Sequence, residues 1–166
     1  MFGDNIDTDA MAPGAYVKFD IDTIAQHCLE SLDSGFAGGV RPGDVVIAGR
    51  NFGIGSSREQ APQALQHLGV AAVVAQSFAG IFYRNALNLG LLLLTCPHTN
   101  RIAPGTSVVV HADTARLIET VSGIVHACDP IPAYLLAMVR AGGLLPLLEQ
   151  RLARERALAD GGATKG

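Results

Sequence analysis

Hydrophobic and polar positions alternate along the middle of the chain in blocks that predict strands and helices in turn. Three short apolar runs lie between turn residues, as buried strands do: 45–48, 70–75 and 91–94. A helix is predicted after the glycine-rich stretch 49–59, through about Leu68, and another over 78–89 with Phe78, Ile81 and Phe82 as its core. This alternation predicts βαβ crossovers and a parallel sheet.

The two ends of the chain follow other patterns. The first twenty residues place five Asp and Asn among Gly and Pro, which favours a structured polar loop. A short helix is then predicted through Ile24, Cys28 and Leu32, after Asp22 as its cap and before the glycine-rich stretch 35–43. Beyond Pro97, the segments 107–111, 116–120 and 123–127 predict a small antiparallel β meander.

The C-terminal part is predicted to be helical from about Pro132, with a break near Gly142 and Gly143. A chain of 166 residues fits one domain with a core of ordinary size. We therefore expect an α/β fold over residues 1–158, with a mostly parallel central sheet, and a disordered polar tail over 159–166.

Composition narrows the classes of partner. The net charge is -3 and the lysines and arginines do not form a basic field, which argues against a nucleic-acid partner. There is no signal-peptide pattern at the N-terminus and no apolar run of the roughly 18 residues that span a bilayer, so we expect a cytoplasmic protein without a membrane partner. The three cysteines and five histidines match no metal-ligand spacing, so no metal is expected in this chain.

Candidate chemistry is concentrated in the turn 53–59, with sequence GIGSSRE. Gly53 and Gly55 permit a tight turn, and the backbone N–H groups that follow, together with the guanidinium of Arg58, suit a carboxylate. The spacing of Ser56 to Glu59 also matches a capping box, an ordinary way to begin a helix. Pro62 disfavours capping by Ser57, because it would lie inside the helix, so a helix that begins nearer Ala61 would leave the serines available.

Three blocks of this chain resemble a known family: GDNIDTD at 3–9, GRNFGIGSSRE at 49–59 and SFAGIFYRNALNLGLLL at 77–93. They resemble the small subunits of isopropylmalate and homoaconitate hydro-lyases and the swivelling fourth domain of aconitase. The resemblance implies a swivelling β/β/α domain that works with a large subunit, as a heterodimer or heterotetramer. That partner would hold a 4Fe-4S cluster, and this chain would bind no cofactor of its own.

The resemblance also implies roles for single residues. Ser56 would be the catalytic base, and Ser57 and Arg58 would bind a carboxylate of a small hydroxy di- or tricarboxylic acid. A loop with Tyr16, Val17 and Lys18 would meet the variable arm of that substrate. The residues that would support the site are the turn glycines Gly53 and Gly55 and, in the polar loop, Asp4, Asn5, Asp7, Thr8 and Asp9. The loop residues also suit a turn that has no chemical role.

The resemblance leaves three functional hypotheses open. The first is isomerisation of 2-isopropylmalate to 3-isopropylmalate in leucine biosynthesis. The second is a sibling hydro-lyase that acts on homoaconitate or a methylated malate. The third is a stand-alone anion-binding regulatory domain, favoured by Ile54 and Gln60, which stand where the family commonly has cysteine and histidine.

Overall fold

A computed structural model describes the backbone of residues 1–162 and the side chains of residues 1–158. The helices are α1 Thr8–Met11, α2 Ile21–Gln26, α3 Phe36–Gly39, α4 Gln60–His67, α5 Gly80–Asn88, α6 Ala133–Arg140 and α7 Leu144–Gly162. The strands are β1 Val45–Ala48, β2 Ala72–Ala75, β3 Leu92–Thr95, β4 Val108–His111, β5 Arg116–Glu119 and β6 Val125–Ala127.

The central sheet is parallel and has the order β1-β2-β3, which confirms the prediction from the apolar runs. Val73 is in register with Val46 on one side and Leu93 on the other. Strand β2 starts at Ala72 instead of Val70, because the Val70 N–H donates to the Leu65 carbonyl at 3.1 Å and so closes the end of α4. The site-bearing turn 49–59 leaves the carboxyl end of β1, where parallel sheets commonly place their ligands.

The parallel sheet is the middle layer of the fold. Val73 and Leu93 point into a core shared with the helices α1, α2, α4 and α5. The next residues along the strands, Val74 and Leu94, point the other way, into a second core with Leu117 of the meander. These layers of meander, parallel sheet and helices give the expected β/β/α arrangement.

The second sheet is the predicted antiparallel meander, in the order β4-β5-β6. Leu117 is in register with Val110 and His126 and is fully buried against the central sheet. Two of the three thiols, Cys96 and Cys128, lie next to this sheet. The Asp129 N–H donates to the Thr95 carbonyl at 2.8 Å, and this bond brings the residues next to both cysteines together. Cys96 and Cys128 are therefore neighbours in space although they are far apart in the sequence, and all three cysteines are free thiols.

Two local predictions were wrong. Asp20, not Asp22, caps α2, because its carboxylate accepts the Thr23 N–H at 2.8 Å. The helix ends at Gln26, so Leu32 lies outside it and is 51% exposed. Ile81 does not belong to the core of α5 and is also 51% exposed, since the helix turns Phe82 inward instead.

The C-terminal helices α6 and α7 are separated at Gly142 and Gly143, both of which have positive φ. This is the break that the sequence predicts. Helix α7 is assigned as far as Gly162, and the last part of the predicted disordered tail, 163–166, lies outside the described residues. Of the helices that are described, none combines the length and apolar character needed to cross a membrane.

Candidate active site

The polar loop 3–9 lies directly beside the glycine-rich segment 49–54. Four backbone hydrogen bonds of 2.7 to 3.0 Å join the two segments: Gly49 N–H to Gly3 O, Asn5 N–H to Arg50 O, Gly53 N–H to Ile6 O, and Thr8 N–H to Ile54 O. Two segments that are more than 40 residues apart in the sequence are therefore fixed to each other at the start of the candidate site.

The side chains of the polar loop strengthen this attachment. The Asp4 carboxylate accepts the Arg50 N–H at 2.7 Å, and Asn51 Nδ2 donates to Asn5 Oδ1 at 2.9 Å. Asp7 caps α1 by accepting the Ala10 N–H at 2.7 Å. These bonds are of the kind that favours turns anyway, but here they also fix the position of the segment that leads to Ser56.

The third sequence block reaches the same place through Ser77. Its carbonyl oxygen accepts the Phe52 N–H at 3.0 Å, and its hydroxyl accepts the Asn51 N–H at 2.9 Å. No role for Ser77 was predicted from the sequence. Its position just after a strand, at the start of the block 77–93, is the signal that would have pointed to it.

The two glycines of the turn are required by the space around them. Gly53 has φ of 83°, and a Cβ there would overlap the ring of Phe82, which is 2% exposed. Gly55 has φ of 103°, and a Cβ there would lie 3.1 Å from Thr8 Oγ1. The Thr8 hydroxyl is buried and has no hydrogen-bond partner within the part of the chain that is described. The turn can thus adopt this shape only with glycine at both positions.

Ser56 and Ser57 are exposed and do not cap the following helix. Helix α4 begins at Gln60, its N-cap is Glu59, and no side-chain hydrogen bond caps it. Pro62 is the third helical residue, in the first turn, where its missing N–H costs nothing. The structure therefore decides against the capping box and leaves both hydroxyls on the surface of an irregular turn.

Arg58 is held in place from two sides. Its Nη1 donates to the Ala12 carbonyl at 2.8 Å, and the guanidinium forms an ion pair with Asp9. The side chain of Arg58 is only 23% exposed, whereas that of Asp9 is 59% exposed. Within the described residues, Nε and Nη2 make no hydrogen bond, so the rest of the planar fork can face a carboxylate.

The loop that contains Tyr16, Val17 and Lys18 starts next to Arg58. A Cβ on Gly14 would lie 3.9 Å from Arg58 Nη2, which places this part of the loop against the guanidinium. Tyr16 and Val17 are partly buried and Lys18 is exposed. All the residues that the resemblance connects with the site thus belong to segments around one turn.

A second polar cluster lies in the meander, away from this turn. The Ser122 hydroxyl donates to Glu119 at 2.5 Å, and His126 Nε2 lies 2.9 Å from the other Glu119 oxygen. The hydrogen bonds from Ser122 and then from His126 lower the pKa of Glu119 from its usual value of 4.5. Nearby, the hydrogen bond from Cys128 lowers the pKa of the Cys96 thiol, and the same bond raises that of Cys128.

Comparison with known proteins also points to the segment that carries the turn 53–59. The sequence model of the Aconitase C-terminal domain family matches residues 40–99, which include the turn. A 3-isopropylmalate dehydratase small subunit from Thermodesulfovibrio yellowstonii is 42% identical over 156 residues, 93% of each chain. The chain belongs to the 3-isopropylmalate dehydratase small-subunit family. The resemblance seen in the three sequence blocks is thereby confirmed.

Two further known proteins are similar to this chain over most of its length. A methanogen homoaconitase small subunit from Methanothermobacter thermautotrophicus is 43% identical, with 87% of this chain and 84% of that one covered. The crystal structure of a 3-isopropylmalate dehydratase from Methanocaldococcus jannaschii superposes with a TM-score of 0.88 at 39% identity, over 94% of this chain and 93% of the other. The family likeness therefore extends beyond residues 40–99 to the meander and α6.

Proposed function

We propose that this chain is the small subunit of a two-chain hydro-lyase that converts 2-isopropylmalate to 3-isopropylmalate by dehydration and rehydration, in leucine biosynthesis. The observation that supports it most directly is the turn 53–58, where two exposed serines lie beside a fixed arginine. Neither hydroxyl is engaged in capping α4, so both are available to a ligand.

In this proposal Ser56 is the base and Arg58 provides the charge. The Ser56 alkoxide takes the proton from the carbon next to a substrate carboxylate while hydroxide leaves the neighbouring carbon, where the Lewis acid of the partner would accept it. Rehydration returns the proton to the carbon that lost hydroxide and hydroxide to the carbon that lost the proton. A serine can do this only where its deprotonated form is stabilised by positive groups. Arg58 and the Ser57 hydroxyl bind the carboxylate, so the cation and the base lie at the same end of the substrate.

Within the described residues, the three cysteines do not converge as ligands of one iron-sulfur cluster. Cys28 lies in the helical core, whereas Cys96 and Cys128 belong to the other core, next to the meander. The residues that the structure describes contain no group of three His, Cys, Asp or Glu side chains that could hold a metal ion. In this proposal the 4Fe-4S cluster would belong to the large subunit, where it would supply a Lewis acid for the substrate.

The exposure of the site supports the need for that partner. Ser56 and Ser57 are on an open surface, where water would solvate an alkoxide and screen Arg58. A large subunit that covers the turn would exclude this water and strengthen the electrostatic interactions. The names of the relatives, which call them small subunits, support the same arrangement.

Homoaconitate or a methylated malate is the second candidate substrate. The identities of 42% and 43% to the two kinds of relative do not separate the two substrates. Exposed Lys18 favours an arm with a carboxylate, whereas partly buried Val17 favours an apolar arm. The loop that contains these two residues is where the specificities would differ.

The test is reconstitution of the two-chain enzyme. The chain would be produced together with a cluster-bearing large subunit, reconstituted without oxygen, and assayed by the ultraviolet absorbance of the unsaturated acid formed from 3-isopropylmalate. Turnover would establish both the class of reaction and the substrate. A tight complex active only on homoaconitate would favour the sibling enzyme, and failure to bind any cluster-bearing chain would favour the stand-alone anion-binding domain.

A further inference from the structure

The ring of Tyr16 lies flat on the imidazole of His27. Their centroids are 3.6 Å apart and their planes differ by 2°. Within the loop, the Tyr16 N–H donates to Pro13 and the Phe19 N–H donates to Tyr16, and the Tyr16 side chain packs against the helical core. The stack is the aromatic contact that joins Tyr16 to the end of α2, beside the packing of Tyr16 on the core and the contacts of Ala12 and Gly14 with Arg58.

His27 is well placed to hold the tyrosine ring. It is the C-cap of α2, with its N–H bonded to the Ile24 carbonyl at 3.1 Å, and it is followed by Cys28 and Leu29, both 0% exposed. Its Nδ1 lies 2.6 Å from the Glu30 carboxylate, which fixes the rotation of the imidazole. The histidine is therefore attached to the core on one side and presents a flat face to Tyr16 on the other.

The loop held in this way borders the carboxylate-binding arginine. Arg58 donates to the Ala12 carbonyl and lies against Gly14, and the next residues along the chain are Tyr16, Val17 and Lys18. A movement of Tyr16 would therefore change which side chain stands beside a carboxylate bound to Arg58. The position of the loop therefore matters for the part of a substrate that extends from that carboxylate toward Val17 and Lys18.

We propose that His27 is a positioning residue for substrate selection: by stacking on Tyr16, with its own ring held by Glu30, it fixes Val17 and Lys18 at the place where the variable arm of the substrate binds. This inference rests on the proposed function, because it concerns the same site. It assigns His27 no contact with the substrate. Its effect is to keep the loop in one conformation, and the loop in turn discriminates between substrates with different variable arms.

The lysine content of the chain provides a direct test of loop order. The sequence contains two lysines, Lys18 in this loop and Lys165 near the C-terminus. An endoproteinase specific for lysine therefore reports the mobility of the loop by cleavage after Lys18, which needs neither a partner nor activity. We expect His27→Ala to be cut about five times faster than wild type, since an aromatic stack is lost.

Further variants make this result specific. His27→Phe keeps a flat ring against Tyr16 and should restore the wild-type rate, and Glu30→Gln should be cut at an intermediate rate. His111→Ala, which removes an exposed histidine of β4 in the meander, is the matched control and should not change the rate. Cleavage of His27→Ala at the wild-type rate would overturn the proposal; if that variant did not fold, wild-type cleavage of Glu30→Gln would overturn it.

The second measurement uses the assembled enzyme. With 3-isopropylmalate, His27→Ala should raise KM about fivefold with kcat within about twofold, and should reduce the preference for this substrate over a methylated malate. A lower kcat with unchanged KM and preference would show a merely structural role and overturn the proposal. If the wild-type complex turned over none of these acids, the proposed function would fail, while faster cleavage of His27→Ala would still show that the stack fixes the loop.

Discussion

Arg58 forms an ion pair with Asp9, so a residue of helix α1 orients the arginine that lies two residues before helix α4. The same arginine nitrogen donates to the Ala12 carbonyl at 2.8 Å. An arginine held in this way loses less side-chain entropy when it binds a carboxylate. The polar loop thus contributes to the site by fixing the direction of one charge.

Replacement of Arg58 by lysine should weaken substrate binding by about tenfold or more. A lysine has a single ammonium group, which cannot contact Asp9, the Ala12 carbonyl and both oxygens of a carboxylate at once. The change would be measured as KM of the reconstituted two-chain enzyme. Arg101→Lys, at an exposed position outside the site, is the matched control, and an unchanged KM in Arg58→Lys would show that this arginine is purely structural.

Ser56→Ala should abolish turnover and leave the fold intact. The hydroxyl is exposed and does not cap α4, so its removal should change the free energy of unfolding by less than about 0.5 kcal/mol. Activity, denaturant unfolding and complex formation would be measured on one preparation. Ser34→Ala, an exposed serine in another loop, is the control. Activity within a few fold of wild type would rule out Ser56 as the base.

Gly53→Ala should destabilise the chain by about 2 to 4 kcal/mol, because it combines a positive φ with overlap between the new methyl group and the Phe82 ring. Gly105→Ala is a matched control: Gly105 has φ of 77°, but a Cβ there would meet no atom within 4 Å. It should cost only about 1 kcal/mol. Denaturant unfolding of the two variants would separate the two effects, and equal losses would contradict the predicted overlap.

Glu119 should contribute to stability at neutral pH and lose that contribution in acid. Its hydrogen bonds, first from Ser122 and then from His126, hold its folded-state pKa below 4.5. The contribution is therefore complete above pH 4.5 and is lost as the pH falls through the lower, folded-state pKa. Glu119→Gln should flatten the acid side of the stability curve measured by denaturant unfolding. Glu149→Gln, at an exposed position, should keep the wild-type dependence.

The order of strands and helices was predictable from local patterns. The apolar runs gave β1 with its observed bounds, Val45–Ala48, and the other two parallel strands to within one or two residues. The helical periods placed α4 and α5 similarly well. Such patterns are local, because burial of one face of an element repeats along that element.

Predictions that depended on a single side chain were less successful. Asp20 and Asp22 are both reasonable caps for α2, and only the Thr23 N–H that Asp20 accepts distinguishes them. Ile81 and Phe82 are adjacent apolar residues of α5, and one of them had to face outward. The sequence shows that a helix is amphipathic, but the neighbouring elements decide which residue is buried.

The sequence alone determined the fold class, the family and the turn at which the candidate chemistry lies, since these depend on residue types at short, fixed spacings. Only the tertiary structure decided that Ser56 and Ser57 do not cap α4, that Asp9 and Ala12 hold Arg58, and that His27 stacks on Tyr16. Each of these contacts involves the direction of a side chain or joins segments from different elements. Such contacts form only when the packed layers bring those segments together, and no local pattern in the sequence records them.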